Sequence, residues 1–230
     1  MLCKIADLLV EVPAVGGMPP RCREYLTSPD GEVDIAIHEE LYRIDKWKNL
    51  NAEDSIYLES GIQFYRQLLN FNGMMLHSSA IELDGRAYLF SGPCGVGKST
   101  HTKLWRSTFG ERVKIFNDDK PALRRLDEGW FAYGTPWCGK DGININMKVP
   151  ISGICFLKQG TENSIRRLDN KEAIQKILSQ TTAKISNVAK IDKLLQTVGG
   201  LVGEIPIYEL SNTPEPEAAL LSYRAMCQDA

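Results

Sequence analysis

The sequence predicts an α/β protein whose mixed β-sheet is built around a phosphate-binding loop, a P-loop fold, with a small β-rich lobe ahead of it. Three observations predict it. Residues 92–99 fit the pattern G-x-x-x-x-G-K-[ST]. The apolar run 86–91 enters that motif as a buried strand should, and residues 98–109, free of Gly and Pro, leave it as a helix that Gly110 ends. Asp84-Gly85 between two apolar runs is a hairpin signal, and a hairpin arm beside the loop strand makes the sheet mixed rather than purely parallel.

Composition narrows the function classes. The chain has 230 residues, enough for a substantial core, and divides into an N-terminal lobe over residues 1–71, packed on the core, and a catalytic domain over 72–230. A formal net charge of -2 with 24% charged residues carries no nucleic-acid footprint and no signature of disorder, so an acidic ligand must be held by local charge. The six cysteines lack C-x-x-C spacing and His partners at zinc intervals, which fits a reduced cytoplasmic setting. Asp7 interrupts the first apolar run, so it does not read as a signal peptide, and no later run is long enough to span a bilayer.

In chain order, residues 5–12 read as a strand, Gly16-Gly17-Met18-Pro19-Pro20 as a loop, and 33–37, after the Asp30-Gly31 turn, as a half-exposed strand by strict alternation. Residues 55–71 have helical apolar spacing. Residues 77–83 form the hairpin arm that leads to the loop strand. After the loop helix, 113–116 is a short strand beside the loop strand, ending in Asn117-Asp118-Asp119. A second hairpin joins 123–126 to 130–133 through Asp127-Glu128-Gly129. Residues 134–142 form a long loop of the kind that carries function; 143–149 alternates, with Asn144 and Asn146 on one face, and 151–157 is a buried strand. Asp169 and Glu172 predict a capping box for a helix through Thr181. A second amphipathic helix over Val188 to Val198 is ended by Gly199-Gly200, 205–210 is a strand, and Thr213 caps a final helix with Pro214 at its first position.

The loop residues Gly92, Pro93, Cys94, Gly95, Val96, Gly97, Lys98, Ser99 and Thr100 carry the first chemistry. Small residues let successive backbone N–H groups turn inward around a phosphate, Lys98 reaches the β- and γ-phosphates, and Ser99 is placed to ligand Mg²⁺. A glycine-rich turn that binds nothing would not require both Lys98 and Ser99 at those positions. Asp118 and Asp119, at a strand end near the loop, supply the carboxylate that holds Mg²⁺ with Ser99 and a second one to accept the proton of an attacking hydroxyl; the residues leave open which does which. Lys140, in the long loop, is placed to neutralise transferring charge. Cys94 needs only its backbone N–H, and His101 in the first turn of the helix reads as solvent-facing or locally packed.

The order Leu76-His77-Ser78-Ser79-Ala80-Ile81, Asp84-Gly85, the loop from Phe90 to Thr100 and Asn117-Asp118-Asp119 resembles the catalytic domain of HPr kinase/phosphorylase over about residues 76–140. It is similar, more distantly, to ATP-dependent phosphoenolpyruvate carboxykinase. Tyr133-Gly134-Thr135-Pro136-Trp137 resembles the smaller HPr-kinase-like proteins, among them kinases that tailor ribosomally made peptides such as lasso-peptide precursors. The resemblance implies a kinase fold of carboxykinase type, His77 as an active-site group, and Asp118 and Asp119 as base and metal ligand. The family's downstream stretch linked to phosphorolysis has no match in this chain.

The expected activity is an ATP- and Mg²⁺-dependent kinase acting on a hydroxyl, serine first, of a peptide or small protein, with the N-terminal lobe helping to hold the acceptor and homo-oligomers open. Two alternatives remain: a kinase of a free amino acid or other small metabolite, and a nucleotide-sensing module without turnover, which would have no open acceptor cleft beside Asp118.

Overall fold

The computed structural model describes residues 1–181 and 188–228. The chain opens with a hairpin of β1 (Leu2–Ile5) and β2 (Leu8–Glu11). Ala6 and Asp7, with φ of 53° and 61°, form its two-residue turn, the left-handed pair whose twist suits a hairpin. The run 5–12 is therefore a turn plus β2 rather than one strand. The expected loop 16–20 instead runs into a short helical turn, α1 (Met18–Arg21), with prolines at its first positions, and β3 (Ile35–Ala36) adds parallel to β2. It is shorter than the expected strand 33–37 because the Asp34 carboxylate takes the Leu9 N–H at 2.8 Å, where a ladder would need a backbone acceptor. Residues 1–71 are not β-rich as expected: their strands are two to four residues long, and their longest element is α2 (Ala52–Leu68), started by the Asn51 side chain accepting from the Asp54 N–H. Its Phe64, Tyr65 and Leu68 share a buried cluster with Ile5, Val10 and Ile35 on one side and Ala122, Tyr133 and Trp137 on the other.

The main sheet is built from β4 (Gly73–Met75), β5 (Ser78–Leu83), β6 (Arg86–Ser91), β7 (Lys114–Asn117), β8 (Ala122–Leu126), β9 (Gly129–Tyr133) and β10 (Lys148–Gln159), in the order β4-β8-β9-β10-β6-β5-β7. Between β6 and β7 lies α3 (Lys98–Phe109). After β10 come β11 (Ser164–Arg167), α4 (Asn170–Ser179), α5 (Val188–Glu204), β12 (Ile207–Asn212) and α6 (Pro216–Gln228). The start of β10 pairs antiparallel with β9, and its later part runs parallel to both β6 and β12. The sheet is mixed, as the Asp84-Gly85 hairpin predicts: β6 is antiparallel to β5 and parallel to β10. Alternation along β6 puts Tyr88 and Phe90 in a core with Trp105 of α3 and Met226 of α6, while Ala87 and Leu89 join Ala173 and Ile177 of α4 and Val198 and Leu201 of α5. Helices thus cover both faces.

Four further expectations change. β7 lies next but one to the loop strand, with β5 between them, so the acidic pair does not end a neighbouring strand. Residues 143–147 are not strand: the Asn144 and Asn146 side chains donate to the Arg21 and Glu24 carbonyls at 2.8 and 3.2 Å, tying this segment to the N-terminal part. The helix α5 runs through Gly199 and Gly200 because Leu201 and Val202 continue its buried stripe. The last helix opens at Pro216, not Pro214; the Thr213 N–H and hydroxyl are held by Asn163 Oδ1 at 2.8 and 3.3 Å, so Thr213 does not cap it. The Asp169–Glu172 capping box forms as expected. Among the described residues no helix is long and apolar enough to cross a membrane.

Candidate functional site

Strand register brings the site together. Ser78 of β5 pairs with Ser91 of β6, and Ala80 of β5 with Asn117 of β7. The residue before β5, the loop after β6 and the turn after β7 therefore emerge at the same end of these three strands. These are His77, the 92–97 loop and Asp118-Asp119. Two bonds tie the three segments: Ser91 Oγ donates to the His77 carbonyl at 2.9 Å, and the Ser78 N–H to the Asp119 carbonyl at 3.0 Å.

The loop is shaped by glycine. Gly97 has φ of 107° and forms the N-cap of α3 without any side-chain cap bond. The first-turn N–H groups of α3 are thus left without a side-chain cap at the end of the helix where the dipole favours an anion. The Lys98 ammonium folds back onto the loop, donating to the Gly92 and Pro93 carbonyls at 2.8 and 3.2 Å. Burial pushes its pKa down, while the Asp119 charge acts in the opposite direction.

The acidic turn is held from several sides. Asn117 Oδ1 accepts the Asp119 and Lys120 N–H groups at 3.2 and 2.8 Å, an Asx turn. Its Nδ2 donates to the Thr135 carbonyl at 3.0 Å, and the Thr135 and Tyr65 hydroxyls both bond the Lys120 carbonyl. The two carboxylates meet different surroundings. Asp118 accepts the Gly139 N–H at 2.6 Å and the Asp141 N–H at 3.1 Å, yet burial, with the Asp119 charge adding to it, raises its pKa against those bonds. Burial acts the same way on Asp119, but the His77 hydrogen bond and the Lys120 ammonium outweigh it and hold the carboxyl far below its ordinary value. His77 Nε2 stands 3.1 Å from Asp119 Oδ1, and His77 Nδ1 3.2 Å from Gln180 Oε1.

One cleft of about 450 Å³ collects His77, Cys94, Gly95, Gly97, Lys98, Ser99, Thr100, Asp118, Asp119, Gly139 and Lys140 along its walls. Gly92, Pro93 and Val96 belong to the same loop but not to those walls. Lys140 is exposed at the cleft. Among the described residues no group of three or more His, Cys, Asp or Glu side chains could cage a metal. A Mg²⁺ ion carried by nucleotide phosphates needs only one or two carboxylates and a hydroxyl, and Asp118, Asp119 and Ser99 line the same cleft, so the donor set fits.

Of the two expectations for His101, local packing holds and solvent exposure does not. It is fully buried, with Nε2 3.1 Å from Ser222 Oγ and accepting from Trp105 Nε1 at 3.2 Å, and burial lowers its pKa to about 4. It anchors α3 to α6. Sequence reasoning passed over Lys120, although a cation directly after an acidic pair was a visible signal. It also passed over Tyr57, whose hydroxyl lies 3.4 Å from Asp119 Oδ2 and donates to the Cys138 carbonyl at 2.9 Å, and over Gln180. Neither of these has a local signature, since only the packing of α2 and the end of α4 brings them here.

The family model described as SynChlorMet cassette protein ScmC matches residues 48–214. No curated protein matches the sequence. Among solved structures, the Hpr(Ser) kinase/phosphatase from Coxiella burnetii matches 67% of this chain and 98% of its own length, at 11% sequence identity and a TM-score of 0.38.

Proposed function

This chain belongs to the family of SynChlorMet cassette protein ScmC, and we propose that its cleft is the centre of an ATP- and Mg²⁺-dependent kinase that phosphorylates a hydroxyl, serine first, of a peptide or small protein. The observation that carries the reading is the placement of Lys98 and the N-terminus of α3 across one cleft from Asp118 and Asp119. Phosphoryl transfer asks a protein mainly to position groups and offset charge, and this cleft holds the groups for both.

In this reading the loop N–H groups and Lys98 hold the nucleotide phosphates, with Lys98 exchanging the Gly92 and Pro93 carbonyls for phosphate oxygens. Ser99 and one of the two aspartates would hold Mg²⁺, which would supply positive charge to offset that of the phosphates. The acceptor hydroxyl oxygen forms the new bond to the γ-phosphorus as the bond to the β–γ bridging oxygen breaks. ADP leaves with that electron pair, and the hydroxyl proton passes to the other aspartate. His77 orients Asp119, and Lys140 at the cleft offsets transferring charge. The open cleft beside Asp118 favours turnover over nucleotide sensing alone.

Incubation with labelled ATP, Mg²⁺ and a library of Ser-containing peptides tests the reading. Label should enter peptides and should vanish in Lys98→Ala and in Asp118→Ala. Transfer that persists in both variants would overturn it, and consumption of a metabolite pool with all peptides ignored would move the acceptor to a small molecule.

A further inference from the structure

Behind the two side chains that contact Asp119 Oδ2, Lys120 and Tyr57, lies a second, smaller cavity. Asp119 Oδ2 faces both the Lys120 ammonium and the Tyr57 hydroxyl, and Lys120 Nζ donates to that hydroxyl at 2.8 Å. Tyr57 and Lys120 are in turn walls of a pocket of about 150 Å³, completed chiefly by Leu58, Gly61, Ile62, Met75 and Trp137. The acidic group of the cleft and this pocket are therefore separated by one layer of side chains.

The exposed lining is mostly carbon. The Trp137 indole N–H is turned away to Ser60 Oγ at 3.1 Å, and its ring meets Gly61, where an added Cβ would come within 2.9 Å of Cδ1. Glycine in a helix interior costs about 1 kcal/mol relative to alanine; here it lets the ring lie directly against α2. Leu58 and Ile62 are only half-buried, and no described residue covers them fully. A dry apolar cavity of this size holds a benzene ring in a well-studied case, so one aromatic or branched aliphatic side chain fits. Ile62 also walls the adjoining groove that contains Arg43, Lys46 and Arg66, so an occupant need not end in the pocket, as a small metabolite would.

We propose that this pocket receives an apolar side chain of the peptide acceptor, close in sequence to the hydroxyl being phosphorylated, and so sets which peptides are used. The proposal rests on the kinase reading above, and two arms keep the two apart. In the first, Ser peptides carrying Phe, Leu or Ala at each flanking position are compared by kcat/KM. A large apolar residue at one position should raise it about tenfold or more over Ala, and Leu58→Phe and Ile62→Phe, which narrow the pocket, should erase that preference while Ala-flanked peptides react as before. Equal turnover of all peptides, or a preference unchanged in both variants, overturns the subsite and leaves the kinase reading standing.

The second arm needs no turnover. N-acetylphenylalaninamide should shift the Trp137 indole N–H resonance, N-acetylalaninamide should not, and the shift should be lost in Leu58→Phe and Ile62→Phe. If no peptide accepts phosphate, the kinase reading fails and this arm alone decides the pocket: a shift lost in the variants upholds a site for an apolar side chain, and an unmoved resonance overturns it.

Discussion

His77 Nε2 stands 3.1 Å from Asp119 Oδ1, while the Lys120 ammonium holds the other carboxylate oxygen. Asp119 is thereby fixed in orientation and kept ionised through the physiological range. In the proposed kinase its partners would act on the acceptor or metal only through it. Replacing His77 with alanine should lower kcat about 10- to 100-fold, the range seen when an outer partner of a metal-holding group is removed. With Asp119 taken as the aspartate that holds Mg²⁺, the variant should also raise the Mg²⁺ concentration needed for half-maximal rate, whereas His77→Gln, whose amide can still donate to Asp119, should recover part of both. A purely structural role would leave the Mg²⁺ dependence unchanged.

Lys98 donates to two carbonyls of its own loop, so the free protein holds the ammonium where the phosphates would draw it. Removing one preorganised cationic donor of this kind costs about 10²- to 10³-fold in rate, which is the loss expected for Lys98→Ala. Binding gives an independent readout. Mg-ATP at about 100 times its dissociation constant should stabilise the wild-type fold by about 2.7 kcal/mol. A thermal-unfolding shift present in wild type and absent in Lys98→Ala would support the assignment; an equal shift in both would count against it.

His101 ties α3 to α6 through Ser222, and burial lowers its pKa from 6.5 to about 4. The folded state therefore keeps the ring neutral where the unfolded chain takes up a proton. Stability from this source is complete above about pH 6.5 and is lost as the pH falls towards 4, by on the order of 3 kcal/mol. Urea unfolding at pH 7 and pH 5 should show the decline, and His101→Gln should flatten it. A wild-type midpoint that is the same at both pH values would refute this account of the ring.

Much of the site was legible because its parts lie on short local patterns. The 92–99 loop, the Asp84-Gly85 turn and Asn117-Asp118-Asp119 each announce a backbone geometry that neighbours in sequence settle among themselves. What escaped was decided at long range. The exchange of β7 from beside β6 to beside β5 follows from β5 pairing on both edges, which no residue of β7 records. His101 looked like any polar residue in a first helical turn until Ser222 of α6 closed over it at 3.1 Å. The Asn144 and Asn146 alternation was real but reported two side chains tied to the N-terminal part, not a pleated strand. Gly199-Gly200 failed as a stop because the buried stripe of α5 continues through Leu201 and Val202, and packing outweighs a propensity cost of about 1 kcal/mol per glycine.

Two glycines of the 134–142 loop should separate folding from chemistry. At Gly134 an added Cβ would lie 1.8 Å from the Ile145 carbonyl oxygen and 3.1 Å from that of Phe116. Both obstacles are backbone, and one belongs to the strand that precedes the acidic turn, so neither can yield cheaply. Gly134→Ala should destabilise the protein by about 3 kcal/mol or more. At Gly139 the Cβ would instead come 3.0 Å from Asp118 Oδ2 and 3.2 Å from Asp119 Cβ. Here the neighbour can give, because a carboxylate can rotate, but the rotation breaks the bond of 2.6 Å from the Gly139 N–H to Asp118. Gly139→Ala should therefore unfold within about 1 kcal/mol of wild type while losing phosphoryl transfer by tenfold or more, since a small misplacement of a reacting group costs rate steeply. Denaturant unfolding and turnover measured on the same two proteins decide the matter. A fully active Gly139→Ala would mean that Asp118 does its work without the orientation that the loop amide imposes.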